Sequence, residues 1–193
     1  EEYTLVAVAD YVLKHTPGNT VSNLSSSRAL KDVTEAYGQQ YHAAAVGEVN
    51  VVAEMKRTHS VIGGEGNGGV IYPESHYGRD ALVGVGLFLS HYVAQSKKMT
   101  ELKSTYPPYF ISKNKMTLSP DMDVDKILEG LKERYATEKV TDIDGVKIDF
   151  AQGWVHLRKS NTEPIIRIYS EAKDEAAANQ LAEEVIAAAK STF

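Results

Sequence analysis

Cysteine is absent from the 193-residue sequence, so the chain has neither a disulfide framework nor a thiolate for catalysis or metal binding. Basic residues are not in excess, since the formal net charge is −5. This balance argues against a nucleic-acid partner, which would require a basic patch or stripe. No apolar run approaches the roughly 20 residues of a membrane span, and no signal peptide is evident. We therefore expect a cytoplasmic protein without a membrane partner.

The composition that remains is typical of a globular chain, with 42% hydrophobic and 24% charged residues. Residues 1–100 alternate between helical and strand-like patterns, which predicts a layered α/β domain with a mixed sheet. Helices are predicted over Tyr3–His15, Arg28–Tyr37, Val49–Thr58 and Arg79–Gln95, with short strands between them.

The second half of the chain differs in composition and in its pattern of predicted elements. Residues 101–118 are rich in Lys, Ser, Thr and Tyr and include Pro107-Pro108, which predicts a linker. Residues 119–193 predict a small α+β domain, a sheet covered by two helices. Its elements are a helix over Asp123–Tyr135, strands around Val146–Ile148, Trp154–Arg158 and Ile165–Tyr169, and a helix over Asp174–Lys190.

A polar turn between two strand-like runs is the first candidate site. It reads Arg-Lys-Ser-Asn-Thr-Glu-Pro-Ile-Ile-Arg from Arg158 to Arg167, with an Arg at each end. Turns of this kind direct N–H and hydroxyl groups into one concave spot that suits an anion. The guanidinium fork matches phosphate oxygens two at a time. The segment therefore predicts a phosphate grip, and the alternative is an ordinary hairpin turn with solvated charges.

A glycine-rich loop around Glu65 is the second candidate site. Five of the seven residues from Gly63 to Gly69 are Gly, which allows close approach of the backbone to a ligand. A single carboxylate in such a loop is suited to accept hydrogen bonds from sugar hydroxyls. A dinucleotide fingerprint would have to lead into a helix, but Val70-Ile71-Tyr72-Pro73 follows. A plain flexible turn is the other alternative.

Metal sites find little support in the sequence. The run Asp121-x-Asp123-x-Asp125 has Lys where an EF-hand loop needs Gly and Glu, so we interpret it as a helix start. The six His residues are scattered without a metal-binding spacing. The triplet Ser25–Ser27 is interpreted as a set of N-cap candidates rather than a nucleophile.

Taken together, the motifs Gly-Glu-Gly-Asn-Gly-Gly and Arg-x-Ser-Asn-Thr-Glu-Pro resemble the C-terminal half of an α-D-phosphohexomutase. That family includes phosphoglucomutases, phosphomannomutases and phosphoglucosamine mutases. Val46-Gly47-Glu48 and Gly78-Arg79-Asp80-Ala81 also resemble segments of the family's third domain. The resemblance covers nearly the whole chain, as domains three and four of a four-domain enzyme.

The resemblance implies a role for each motif. Domain three would recognise the sugar of a hexose phosphate substrate, with Glu65 accepting its hydroxyls and Asn67 where many members have Ser. Domain four would bind the phosphate that is not transferred. Its ligands would be Arg158, Ser160, Asn161, Thr162 and Arg167. One departure is that many members have His at the end of the sugar loop, where this chain has Gly69.

The resemblance also implies a parent enzyme that needs parts not found in these 193 residues. The family reaction uses a phosphoserine in domain one and a D-x-D-x-D-R loop in domain two that holds Mg²⁺. Phosphoryl transfer depends on positioning and on charge neutralisation, so the chain alone is expected to be inactive. It would then act with the missing N-terminal domains of the same protein. A stand-alone, non-catalytic phosphosugar-binding module is the alternative.

Overall fold

The computed structural model describes residues 2–119, 122–160 and 163–191, and these form two compact units. The boundary between the units lies between Pro108 and Tyr109. Among the described helices, none has the combination of length and hydropathy that spanning a bilayer requires.

The first unit is the α/β layer that the sequence predicts. Its four-stranded sheet has the order β2-β1-β3-β4, with β1 parallel to β2 and β3, and β4 antiparallel to β3. Its elements are α1 (Glu2–His15), β1 (Thr20–Asn23), α2 (Ala29–Ala36), β2 (Tyr41–Ala44), α3 (Glu48–Thr58), β3 (Ile62–Glu65), β4 (Gly69–Ile71), α4 (Ala81–Gln95) and α5 (Met99–Ser104).

Helix starts and strand ends place the polar residues of this unit. Gly47 has a φ of 119°, a conformation that favours glycine, and it brings Glu48 to the first position of α3. Asp80 caps α4, because its side chain accepts hydrogen bonds from the backbone N–H groups of Leu82 and Val83. Arg79 is therefore fixed directly before a capped helix, while β3 leads straight into the glycine loop.

The second unit is the small α+β domain that the sequence predicts. Its antiparallel sheet has the order β5-β9-β8-β7-β6. Helices α6 and α7 pack on one face of it, with Leu131 and Val185 in the same buried cluster as Leu157 and Ile168. The elements are β5 (Phe110–Thr117), α6 (Val124–Arg134), β6 (Lys139–Thr141), β7 (Val146–Phe150), β8 (Gly153–Lys159), β9 (Ile165–Ala172) and α7 (Glu175–Lys190).

The predicted linker over residues 101–118 needs correction. It contains most of α5 and the whole of β5, which pairs with β9 along its full length. The strand is polar, because Ser112 and Asn114 alternate with Lys113 and Lys115, so its sequence resembles a loop. Pairing with the neighbouring strand, rather than apolar alternation, determines this element.

Candidate functional site

The predicted glycine loop is shorter in the structure, because only residues 66–68 form the turn of the β3–β4 hairpin and Glu65 is the last residue of β3. The residue is only 5% exposed and pairs with Gly69 across the hairpin. Its Oε1 accepts a hydrogen bond from Asn23 Nδ2 at 2.9 Å, and its Oε2 lies 3.2 Å from Arg79 Nη1. A carboxylate has about four lone-pair sites, so Glu65 keeps acceptor capacity for a ligand hydroxyl.

A closed ring of hydrogen bonds supports the Glu65 end of the loop. Asn23 Oδ1 accepts from Ser26 Oγ at 3.0 Å, and Ser26 Oγ accepts from the Gly66 backbone N–H at 2.8 Å. Of the Ser triplet predicted to cap α2, Ser27 accepts from the Ala29 N–H at 3.2 Å, whereas Ser26 supports the loop. No local signal predicts this second role, because the β1–β3 pairing brings the partners together.

Asn67 is exposed at the tip of the loop. Its Oδ1 accepts a hydrogen bond from the Gly69 backbone N–H at 3.1 Å, a local Asx contact that stabilises the turn. Between them, Gly68 has a φ of 88°, which a residue with a side chain rarely adopts. The turn is therefore held by its own hydrogen bond and by Gly68, and its backbone remains accessible near Asn67.

An open cleft of about 520 Å³ adjoins the loop. This volume lies within the range of small-molecule sites, and charged side chains line it together with the glycine backbone. Its lining includes Glu48, Asn67, Gly68, Gly69, Arg79 and Asp80. The sequence identified Glu48 and Arg79 only as parts of family-like segments, since 31 positions separate the two residues.

Substituting Gly64 by Ala is expected to disrupt the hairpin that carries the loop. A Cβ at this position would lie 2.0 Å from the Gly69 carbonyl oxygen, so the backbone must shift. We expect the free energy of unfolding to fall by about 1–3 kcal/mol, measured by urea denaturation.

Gly86→Ala is the matched control for this substitution. Apart from its chain neighbours and the nearby backbone of its own helix α4, no described atom lies within 4 Å of its added Cβ. The control should raise the free energy of unfolding by about 0.5–1 kcal/mol. Equal unfolding midpoints for the two variants would contradict the close approach at Gly64.

The predicted phosphate motif forms the hairpin between β8 and β9. Arg158 lies directly opposite Arg167 in the register, and Ser160 donates its backbone N–H to the Ile165 carbonyl at 3.0 Å. Two of the predicted ligands, Asn161 and Thr162, lie outside the described residues. The structure therefore brings three of the five predicted ligands to one end of one hairpin.

The two arginines lie on the same face of the sheet, where like charges in directly opposite positions are destabilising. Arg167 Nη2 donates to Glu163 Oε2 at 2.8 Å. Arg158 Nε is buried and has no hydrogen-bond partner among the residues that the structure describes. Such an unsatisfied donor costs on the order of 1–3 kcal/mol, and a bound anion would remove this cost. The arrangement is chemically suited to an oxyanion.

His156, two residues before Arg158, is a buried neutral group beneath this site. The residue is 1% exposed, and its Nε2 lies 2.7 Å from the Asp144 carbonyl oxygen. Burial, together with the charges of Lys147 and Arg158, lowers the pKa of His156 to about 4, although the hydrogen bond with the Asp144 carbonyl opposes this shift. The unfolded chain therefore takes up a proton at higher pH than the folded one.

The stability that neutral His156 contributes is complete above its unfolded pKa of about 6.5 and is lost as pH falls towards 4. We expect the free energy of unfolding to fall by up to about 3 kcal/mol over this window. In a His156→Gln variant, the free energy of unfolding should depend less steeply on pH over this window. Urea denaturation at several pH values measures this dependence. The matched control is the exposed His59, because His59→Gln should keep the slope. Identical slopes in wild type and His156→Gln would contradict the assignment.

In the acidic run before α6, Asp123 caps the helix. Asp123 Oδ1 accepts from the backbone N–H groups of Asp125 and Lys126, so the helix-start interpretation is confirmed for Asp123. Asp121 lies outside the described residues. Within the described ranges no three His, Asp or Glu residues are grouped as a metal ion would require. Because the Asp123 carboxylate is used as a helix cap, it does not fit the Mg²⁺ that the resemblance implies for the parent enzyme.

The fold is that of an α/β layer followed by a small α+β domain, and comparison with known proteins identifies the family. Residues 1–109 match the model for phosphoglucomutase/phosphomannomutase domain III, the alpha/beta/alpha domain. Residues 113–188 match the model for the C-terminal domain of the same family. The chain belongs to the phosphoglucomutase/phosphomannomutase family.

Two curated relatives illustrate the similarity. A phosphoglucosamine/phosphogalactosamine mutase of Sulfurisphaera tokodaii is 36% identical over 86% of this chain and 37% of its own length. A phosphoglucomutase/phosphomannomutase of Thermococcus kodakarensis is 37% identical over 93% of this chain and 40% of its own length. The chain thus spans about two fifths of the relatives it matches.

A solved structure shows the same fold. A phosphoglucomutase/phosphomannomutase family protein of Burkholderia thailandensis matches with a TM-score of 0.81 at 22% identity. The match covers 99% of this chain and 41% of the other.

Proposed function

We propose that this chain supplies the sugar- and phosphate-binding half of a phosphohexomutase, which moves a phosphoryl group between the 1 and 6 positions of a hexose phosphate. The observation that carries the proposal is the β8–β9 hairpin. It sets Arg158 opposite Arg167 and buries an Arg158 N–H donor without a partner among the described residues. Both relatives above are named as mutases of this kind.

The sugar would bind in the cleft beside the β3–β4 loop. Glu65 has one carboxylate oxygen near Asn23 and the other near Arg79, and this fixed carboxylate can accept from sugar hydroxyls. Asn67 lines the cleft and still has its side-chain amide donors, because its contact with Gly69 uses the oxygen. Hydroxyl recognition by a few fixed polar groups is a common way to orient a small ligand.

In the parent, a phosphoserine of another domain would transfer its phosphoryl group to one end of the sugar monophosphate and later recover it from the other end. Mg²⁺, held outside the described residues, would neutralise charge on the transferred group. The residues of this chain would hold the sugar by its hydroxyls and the other phosphate by Arg158 and Ser160. Neither site requires one unique face of the sugar, which suits a substrate that binds in both orientations.

The substrates that fit best are the monophosphates of glucosamine, mannose or glucose. The relatives' names divide between phosphoglucosamine or phosphogalactosamine and phosphoglucose or phosphomannose. The resemblance implies His at the end of the sugar loop in many family members, whereas this chain has Gly69. The cleft around Gly69 is therefore where a preference among these sugars would arise.

An activity assay on two forms of the protein tests this proposal. The 193-residue chain should not interconvert hexose 1- and 6-phosphates, because it would lack the phosphoserine and the metal loop. A longer form, expressed from the same reading frame with its preceding domains, should do so with Mg²⁺ present. Turnover by the 193 residues alone would contradict the proposal that this chain binds substrate while other domains supply the nucleophile and the metal loop. A reading frame that encodes no further domains would favour the stand-alone binding module.

A further inference from the structure

Arg79 links the two acidic side chains at the cleft. Its Nε donates to Glu48 Oε2 at 2.8 Å, and its backbone N–H donates to Glu48 Oε1 at 3.2 Å. Its Nη1 lies 3.2 Å from Glu65 Oε2. The Arg79 side chain is 44% exposed, whereas that of Glu65 is 6% exposed. The guanidinium therefore stands between a buried carboxylate and the open cleft.

The Arg79 stem fills the space beside the end of the glycine loop. A Cβ built on Gly69 would lie 2.6 Å from Arg79 Cδ, so this arrangement tolerates no side chain at position 69 without movement. Position 69 is Gly, so the end of the loop presents no side chain of its own. The Arg79 side chain occupies the space that a side chain at position 69 would fill.

Arg79 keeps hydrogen-bond donors after these contacts. A guanidinium has five N–H donors, of which the contacts with Glu48 and Glu65 use Nε and Nη1. Nη2 has no partner among the residues that the structure describes. The hydrogen bond to Glu48, followed by the charge of Glu65, raises the pKa of Arg79, so the side chain stays cationic. Donors on Arg79 beside acceptors on Glu65 match neighbouring sugar hydroxyls, which both accept and donate.

We propose that Arg79 is a sugar-contacting residue that takes the place of a loop-end side chain at position 69. It donates from Nη2 to hydroxyl oxygens of the hexose phosphate and orients the Glu65 carboxylate for the neighbouring hydroxyl. Glu48 then acts as a positioning residue, because it holds Arg79 over the loop. This inference rests on the proposed function and adds to it the Arg79 guanidinium as a group that recognises the sugar hydroxyls.

Titration of the 193-residue chain with glucosamine 6-phosphate, followed by NMR, tests the role of Arg79. Arg79→Met should weaken binding about tenfold and remove the shifts of residues 63–69, because charge-assisted hydrogen bonds to the sugar are lost. Arg79→Lys should recover part of the affinity, since it keeps the charge but not the fork. Arg57→Met is the matched control, because it breaks an exposed Arg–Glu pair with Glu54 on α3.

A double substitution separates the sugar role from a structural one. Gly69→His alone should weaken sugar binding, because its side chain collides with Arg79. Combined with Arg79→Ala, the His gains space and should bind the sugar more tightly than either single variant does. Additive losses in the double variant would overturn the proposed replacement. So would an Arg79→Met variant whose affinity for glucosamine 6-phosphate stays within twofold of wild type.

Inorganic phosphate distinguishes failure of this inference from failure of the proposed function. It should shift residues around the β8–β9 hairpin equally in wild type and in Arg79→Met. If wild type binds neither probe, the proposed function and this inference both fail. If wild type binds both probes and Arg79→Met binds both equally well, only the role of Arg79 fails.

Discussion

Substitution of Arg158 by Ala is expected to weaken the binding of inorganic phosphate by about 10- to 100-fold, the equivalent of one charge-assisted hydrogen bond of about 1.5–3 kcal/mol. The buried Nε of Arg158 has no hydrogen-bond partner among the described residues, so a bound oxyanion would be its natural acceptor. The measurement is an NMR titration of wild type and variant with phosphate at constant ionic strength.

Arg158→Ala is expected to weaken phosphate binding without lowering the stability of the protein. Removing Arg158 relieves its repulsion with Arg167 and removes a buried donor that has no partner among the described residues, so the variant should unfold at the same or a higher urea concentration. Arg134→Ala, which removes an exposed charge at the end of α6, serves as the control and should leave phosphate binding unchanged. An Arg158→Ala variant with wild-type phosphate affinity would contradict the phosphate grip.

Trp154→Ala is expected to cause the largest loss of stability, about 3–5 kcal/mol for the second unit. Trp154 is fully buried on β8, the strand that also carries Arg158. Its Nε1 donates to Glu171 Oε1 at 2.7 Å, and Lys147 Nζ lies 4.3 Å from the ring centroid. The substitution removes the hydrophobic area, the hydrogen bond to a buried carboxylate and the cation–π contact together.

Far-ultraviolet circular dichroism during urea unfolding measures this loss, because the variant lacks the only Trp of the chain and gives no indole fluorescence. Trp154→Phe should lose clearly less, since it keeps an aromatic face for Lys147 but not the donor to Glu171. A loss below about 1 kcal/mol for Trp154→Ala would show that this side chain does not support the hairpin, since core truncations of this size cost several times more.

Elements with strong apolar periodicity were predictable from the sequence. Helix α1 has buried residues from Leu5 to Leu13 and lies within one residue of its predicted bounds. Strands β5 and β6 were not predicted, because Lys and polar residues dominate them and only pairing with β9 and β7 forms them. Polar strands at the edges of a sheet carry little signal in a single sequence.

In the candidate site, too, local motifs predict some placements, whereas the long-range contacts depend on the fold. Local motifs put Arg158, Ser160 and Arg167 at one end of one hairpin, but they placed Glu65 in a loop, whereas the structure has it as the last residue of β3. The ligand roles of all four residues stay predictions. The contacts of Glu65 with Asn23 and Arg79 join residues 42 and 14 positions away, and no local pattern encodes them. Parallel pairing of β1 with β3 creates the first of these contacts, so only the folded chain reveals it.

A wild-type NMR titration with glucosamine 6-phosphate, mannose 1-phosphate and inorganic phosphate tests most directly whether this chain binds sugar phosphates through both loops. All three ligands should shift residues 158–167, with weak affinity. Only the sugar phosphates should shift residues 63–69, and a sugar that does so alone would identify the preferred substrate. If no residue in either loop shifts at millimolar ligand, the chain does not bind sugar phosphates as proposed.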